Sequence, residues 1–293
     1  MAGELLTGDG QIQWRTLLLG ASTPYRVNGI EGWFDLPDAR GSNDPRPNSH
    51  GNYVGQLFSN QRTITVTMHI PEGVNGSLAT RLATLRALTA RTENPLEEPL
   101  AVQWAGTRYV VNARIRRRSV PLEPNYPAGY AQVAVQWEAT DPRIYSLTQY
   151  TQSLSLAAAA SGGLDFDSGG LDFGSGGLDF GPSPSGSLTV TNNGDVDTWP
   201  TLEIVGPVTG PHIVFGNTGR VLHFDPTWSI LTGQAATVDT RLRTVSIAGI
   251  SVRQRLITAQ WTALTPGANT ILYQAAVFDP STVLRVIWRD AYH

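Results

Sequence analysis

The stretch Arg62-Thr63-Ile64-Thr65-Val66-Thr67-Met68-His69-Ile70 places an apolar residue at every second position. A period of two belongs to a β-strand with one face buried and the other, here rich in threonine, turned to water. Similar strand signals recur along the chain. Residues 12–17 alternate between Gly10 and Gly20, and residues 100–104, 109–118 and 130–137 follow. After a Gly-rich interval, further strands are expected at 188–192, 200–205, 212–215, 221–224, 237–239, 244–247, 270–273 and 284–288. Turn residues return about every ten positions, the spacing of a sandwich or jelly roll.

One helix interrupts this pattern. Ser77 is placed to accept a free backbone N–H as its cap. Leu78, Leu82, Leu85 and Leu88 then recur at helical spacing, with Arg81, Arg86 and Arg91 off that stripe. Asn94-Pro95 is expected to stop the helix, giving a span of about 77–92, because proline disfavours α geometry in the residue before it. The loop from Leu36 to Asn52 carries Pro37, Pro45, Pro47, Gly41 and Gly51. It is long for a compact domain and is expected to be either mobile or engaged in contact.

The 293 residues suit two domains. The first is read as residues 1–146, closed by Asp141-Pro142-Arg143-Ile144-Tyr145, and the second as 187–293. Residues 147–186 lie between them. There Ala157 to Ala160 leads into three copies of a heptad, Ser161-Gly162-Gly163-Leu164-Asp165-Phe166-Asp167 and its relatives starting at Ser168 and Ser175. Two glycines in seven give freedom, while Leu and Phe at fixed places give something to dock, so the stretch is read as a linker or a hairpin. The repeat resembles the calcium-binding Gly-Gly-x-Gly-x-Asp pattern, but its period is seven and the third glycine is missing. A cation on Asp165, Asp167, Asp172 and Asp179 is the sharper reading, and a connection is the plainer one.

Composition narrows the chemistry. Cysteine is absent, which excludes disulfides, thiolate metal sites and cysteine nucleophiles. All 21 basic residues are arginine, so the lysines of P-loops, kinases and pyridoxal enzymes have no counterpart. Net charge is −3, and charged residues are 15% against about 25% in an ordinary soluble protein. That balance argues against nucleic-acid binding as the main task and suits a chain that hides surface in an assembly. No apolar run approaches the ~20 residues of a membrane span, so no membrane insertion is expected. Met1-Ala2-Gly3-Glu4 does not begin a secretory signal, and a soluble, unexported chain is expected.

Motifs for hydrolysis or dinucleotide binding do not occur, and no catalytic residue, cofactor or metal is assigned. Asp35 with Asp38, and Glu97 with Glu98, are stray carboxylate pairs; they alone would support an enzyme such as a wall hydrolase. His212 and His223 lie in expected strands, where they either face each other as a metal pair or serve as hydrogen-bonded strand residues. Arg114, Arg116 and Arg118 fall on one face of a strand if alternation is strict. That face would meet DNA or an acidic neighbouring subunit, or else lie solvated in ordinary ion pairs. Among the tryptophans of the second half, Trp228 follows the turn Asp225-Pro226-Thr227 and is the candidate for stacking on a sugar ring. Core packing is the alternative for it.

A longer pattern in the second half carries a family resemblance. Asn192-Asn193-Gly194-Asp195 precedes Trp199-Pro200-Thr201-Leu202-Glu203-Ile204 and Gly206-Pro207. Then come Asn217-Thr218-Gly219-Arg220, Thr232-Gly233, Val238-Asp239-Thr240, Arg243-Thr244-Val245, Trp261 and Leu264-Thr265-Pro266-Gly267-Ala268-Asn269-Thr270. Val286-Ile287-Trp288-Arg289-Asp290-Ala291-Tyr292 ends the run. The order and spacing of these motifs over residues 187–293 resemble the distal tail (Dit) and tail-component family of long-tailed bacterial viruses. Over residues 1–145 the resemblance rests on the β pattern, the single helix and the Asp141-Pro142-Arg143 close. It implies a mainly β protein with an N-terminal β-sandwich or split barrel carrying one α-helix and a C-terminal galectin-like, jelly-roll β-sandwich. It further implies a homo-oligomeric ring, expected to be hexameric, at the distal end of the virion tail, assembled in the host cytoplasm. The partners implied are the tail tube protein, the tail-tip hub, and adsorption or receptor-binding proteins, with genomic DNA only in transit. The alternative function is a carbohydrate-binding module that attaches the tail tip to host surface glycans.

Overall fold

The structure, a computed structural model, describes residues 2–73, 76–93, 96–121, 129–156 and 185–293. The SGGLDF repeats and Asn94-Pro95 lie outside the described residues. The chain divides into two compact units, Met1–Thr148 with Ala291–His293, and Gln149–Asp290.

The strands of the first unit are β1 (Gln11–Trp14), β2 (Leu17–Leu19), β3 (Arg26–Glu31), β4 (Ala39–Gly41), β5 (Asp44–Pro45), β6 (Asn52–Tyr53), β7 (Leu57–Ser59), β8 (Arg62–Pro71), β9 (Glu98–Trp104), β10 (Thr107–Ser119), β11 (Tyr130–Ala139) and β12 (Ile144–Ser146). One helix, α1 (Leu78–Leu88), lies between β8 and β9. The main sheet runs β2-β1-β9-β10-β11-β8-β3, and every pairing in it is antiparallel. The stretch 12–17, read as one strand from sequence, is two. Arg15 turns the chain with φ of 53°, and Ile12 then pairs with Leu19.

The long strand β10 joins the two halves of this sheet, pairing first with β9 and β12 and then with β11. The sheet curls over so that Trp14 of β1 meets Trp137 of β11 edge-on at 5.9 Å. Ile64, Val66, Met68 and Ile70 fill the space between, each at most 1% exposed. Each such side chain contributes about 2 kcal/mol of burial. The helix closes the open side with Leu78 and Leu85 buried. Two core aromatics hold it: Tyr25 Oη donates to Arg81 O at 3.1 Å, and Trp14 Nε1 to Leu88 O at 3.0 Å.

Ser77 caps the helix as expected, its Oγ accepting from Thr80 N at 3.2 Å. The helix ends earlier than residue 92, however. Thr89 leaves helical geometry, its Oγ1 donates to Leu85 O at 2.5 Å, and Arg118 supplies a cation to the last turn. No helix among the described residues is long and apolar enough to cross a membrane.

The second unit is a sandwich of two antiparallel sheets. Its strands are β13 (Tyr150–Ser155), β14 (Ser185–Asn192), β15 (Thr201–Val205), β16 (Val208–Phe215), β17 (Arg220–Phe224), β18 (Ser229–Ile230), β19 (Ala235–Asp239), β20 (Thr244–Ile247), β21 (Ile250–Ser251), β22 (Leu256–Ala259), β23 (Gly267–Phe278) and β24 (Val283–Trp288). One sheet runs β13-β24-β15-β19-β20-β21; the other runs β14-β23-β16-β17-β22, with β18 on β16. Leu202, Ile204, Val238, Leu284 and Val286 face Ile213, Phe215, Leu222, Phe224 and Tyr273 in one buried cluster. The last strand, β25 (Ala291–Tyr292), pairs with β12 and belongs to the first unit.

Strand β13 falls inside the stretch 147–186, which reads from sequence as connection. It pairs with β24 along its length, from Tyr150 with Trp288 to Ser155 with Val283. As an edge strand it keeps Thr151, Gln152 and Ser153 exposed, so no apolar alternation announces it.

Candidate assembly surfaces

Where β3 ends, Gly32 takes a φ of +79°, and a Cβ there would lie 1.9 Å from Thr63 O, so only glycine fits. The next residues are held by Arg62. This arginine is 1% exposed and donates to Gly32 O (2.8 Å), Trp33 O (2.6 Å), Asp35 O (2.7 Å) and Pro142 O (2.6 Å). Burial pulls its guanidinium below the ordinary value, and the charges of Asp35 and Asp141 pull it back. Asp35 Oδ2 also accepts from Gly32 N at 2.7 Å. One buried cation thus ties the end of β3 to the Asp141-Pro142-Arg143 close. Sequence reasoning passed over Arg62, yet it stands in phase with Ile64, Val66, Met68 and Ile70. A charge on the core register was the available signal.

From this root an arm of residues 36–60 leaves the core. It consists of two short ladders, β4 with β7 and β5 with β6. The arm is tightened by Asn60 N to Asp38 O (2.7 Å) and Gly55 N to Asn43 Oδ1 (3.0 Å). The stretch from Leu36 to Asn52, read as a loop from sequence, therefore forms part of a hairpin of two short ladders. Its apolar side chains are left more than half exposed. Leu36 is 77% exposed, Val54 93%, Leu57 67% and Phe58 54%. Beside the root lies a groove of about 920 Å³, lined by Val27, Ile30, Trp33, Phe34, Val102 and Trp104 among others. It is bordered by β3, an edge strand of the main sheet.

The basic strand departs from strict alternation. The register of β10 on β11 shifts between Ile115 and Arg117, leaving Arg116 as a bulge. Arg114 pairs with Glu138 on the outward face, its Nη2 2.6 Å from Oε1. That hydrogen bond, with the carboxylate's charge, raises the Arg114 guanidinium. Arg116 Nε lies 3.6 Å from the other oxygen of Glu138. Past the bulge Arg118 pairs with Val135, a core position, and so turns toward the helix. Its Nη1 donates to Arg86 O at 2.9 Å and Thr89 Oγ1 at 2.8 Å. The three arginines therefore do not form one basic face. Two share one carboxylate and the third closes α1. The outward face also carries Thr63, Thr65, Thr67 and His69 of β8, Gln132, Ala134 and Gln136 of β11, and Arg117, the register partner of Gln136.

The remaining sequence candidates are also placed. Trp228 is half-buried and stacks on Phe224 with ring centroids 5.3 Å apart. Trp199 and Trp261 are half-buried as well, and Trp288 is buried against Tyr150. Glu98 is bound by Arg15, with Nε 2.6 Å from Oε2, and Glu97 accepts from Thr140 N at 2.7 Å. Both carboxylates of that pair thus hold local structure. His212 and His223 are brought together as cross-strand partners, ring centroids 4.7 Å apart. No group of three or more His, Cys, Asp or Glu side chains placed to hold a metal occurs among the described residues.

A search of family models finds no match, and no curated protein matches either. Solved structures do match. The Dit protein of phage SPP1, described as a paradigm of the hub adsorption apparatus in phages infecting Gram-positive bacteria, aligns over 92% of this chain and 94% of its own, with a TM-score of 0.63 and 15% identity. A chain of the phage P2 baseplate aligns over 92% of this chain and 99% of its own, with a TM-score of 0.46 and 10% identity. The likeness to the SPP1 protein gives the chain the two-part β-sandwich fold of Dit.

Proposed function

We propose that this chain is a structural protein of a phage virion, an adaptor at the distal end of the tail. In this reading the first unit assembles into a ring of six copies. The ring joins the tail tube to the tail-tip hub and to adsorption or receptor-binding proteins, and DNA passes through it. The observation that carries the proposal is the arm. A unit with a complete core of its own extends a hairpin whose leucine, valine and phenylalanine side chains stay in water. Such a patch is the mark of a surface made to be covered. The likeness in fold to the SPP1 hub protein supports the tail-tip setting.

The test is the mass of the purified chain by light scattering, with negative-stain images of the same sample, alone and mixed with the tail tube and hub proteins of the same virus. Rings, or a species six times the chain mass, are expected. A monomer at every concentration that also fails to associate with tube and hub would overturn the reading.

A further inference from the structure

Four side chains form a row across the outer face of one sheet of the second unit. Thr258 of β22 is the register partner of His223 on β17, His223 is that of His212 on β16, and His212 is that of Gln274 on β23. The strand neighbours Ile213, Leu222, Phe224 and Tyr273 are fully buried, so alternation turns the row away from the core. The imidazoles of His212 and His223 are tilted by 37°, with centroids 4.7 Å apart. Two imidazoles sharing one tetrahedral ion, each nitrogen about 2.0–2.1 Å from it, have centroids roughly 5 Å apart. The observed separation is within about half an ångström of that arrangement.

Gln274 adds a second, independent feature. Its Oε1 lies 3.1 Å from Nδ1 of His212. A carbonyl there accepts the Nδ1–H and leaves the lone pair on Nε2, the arrangement that orients a metal-binding histidine. His223 has no hydrogen-bonded ring nitrogen among the described residues, and both of its nitrogens remain available.

We propose that His212 and His223 form a two-histidine site for a divalent transition metal ion, with Gln274 as the residue that positions His212. Neutral imidazole selects zinc, nickel or copper over calcium and magnesium, which prefer oxygen. Two protein ligands leave the remaining coordination positions to water. The ion links β16 to β17 directly and reaches β23 through Gln274, so it braces the middle of that sheet. The site is independent of ring formation by the first unit.

The test is calorimetric titration of the full chain with zinc chloride, and separately with nickel chloride, in a buffer that does not bind metal. One ion per chain is expected, with a melting temperature of the second unit that rises with metal concentration. His212→Gln or His223→Gln removes the binding, and Gln274→Leu weakens it by about tenfold. Gln274→Glu tightens it, because a carboxylate grips the Nδ1–H more firmly. A destabilised variant would not produce that gain. No binding to the wild type overturns the proposal. So does an isotherm unchanged by His212→Gln or His223→Gln, which would mean an adventitious ion only, held at His50, His69 or His293. Should a histidine variant not fold, nickel-induced broadening of the wild-type imidazole signals decides instead. Loss of His212 and His223 signals supports the site, and loss confined to the other histidines overturns it.

Discussion

Arg62 sits at the first position of a strand whose other inward residues are all apolar, and it makes four hydrogen bonds to backbone carbonyls there. Replacing it with methionine roughly keeps the volume but leaves the buried Trp33 carbonyl and three partly buried carbonyls without this donor. The expected loss is about 3 kcal/mol in the first unit, read as a lower urea midpoint. Lysine keeps the charge but has no planar fork to reach several carbonyls at once, so Arg62→Lys falls between the two. Tyr145 gives a pH signature in the same region. Its phenol donates to Asp141 Oδ2 at 2.6 Å, and burial, followed by the Asp141 charge, raises it to about 12. The unfolded phenol titrates near ~10. The folded state therefore holds the proton more tightly, and its stabilisation is fully present below pH ~10. It is lost as pH climbs from there to about 12, a fall of about 2 kcal/mol. Alkaline unfolding curves of Tyr145→Phe are expected to lose that part of the slope. The part due to Tyr25, Tyr150 and Tyr273, also raised by burial, remains.

At the scale of elements, the arm separates folding from assembly. Val54 and Leu57 are exposed, and a charge at either removes no contact with the core. Val54→Asp and Leu57→Asp should leave the melting of the chain within about 0.5 kcal/mol of wild type. The same changes should shift light scattering from the assembled mass to the monomer. A stable ring in both variants would mean that the arm is not the contact. The elements most legible in the sequence were those whose side chains alternate against a core. Strand β8 and the leucine stripe of α1 emerge at almost their observed positions because burial imposes the period. What stayed hidden was set by partners distant in sequence. The bulge at Arg116 depends on how β10 meets β11, and no residue type in Arg114-Ile115-Arg116-Arg117-Arg118 announces it. Strand β13 stayed hidden for a different reason, since only Tyr150 and Leu154 pack against the core and the three residues between them stay in water. The hairpin form of the arm was veiled in the same way, because its turn residues read as a loop.

The whole molecule has two cores that share no residue, one built on Ile64, Val66 and Trp137, the other on Leu202, Phe224 and Leu284. Each should therefore respond to its own mutations. Leu284 is fully buried, and Leu284→Ala is expected to cost the second unit about 3 kcal/mol while the first melts as before. The chain order makes the converse test the more telling one. Tyr292 follows the last strand of the second unit by only a few residues, yet it packs in the first. It meets Tyr109 edge-on at 5.6 Å and pairs with Ile144 of β12. Tyr292→Ser removes that ring contact, at a cost of about 1–2 kcal/mol. Because Ala291–His293 belong to the first unit, scanning calorimetry is expected to show the loss in the transition that Arg62→Met also lowers, and not in the one lowered by Leu284→Ala. A shift of the Leu284 transition instead would assign the final strand to the second unit. The closing of the first sheet would then have to be sought within residues 1–148.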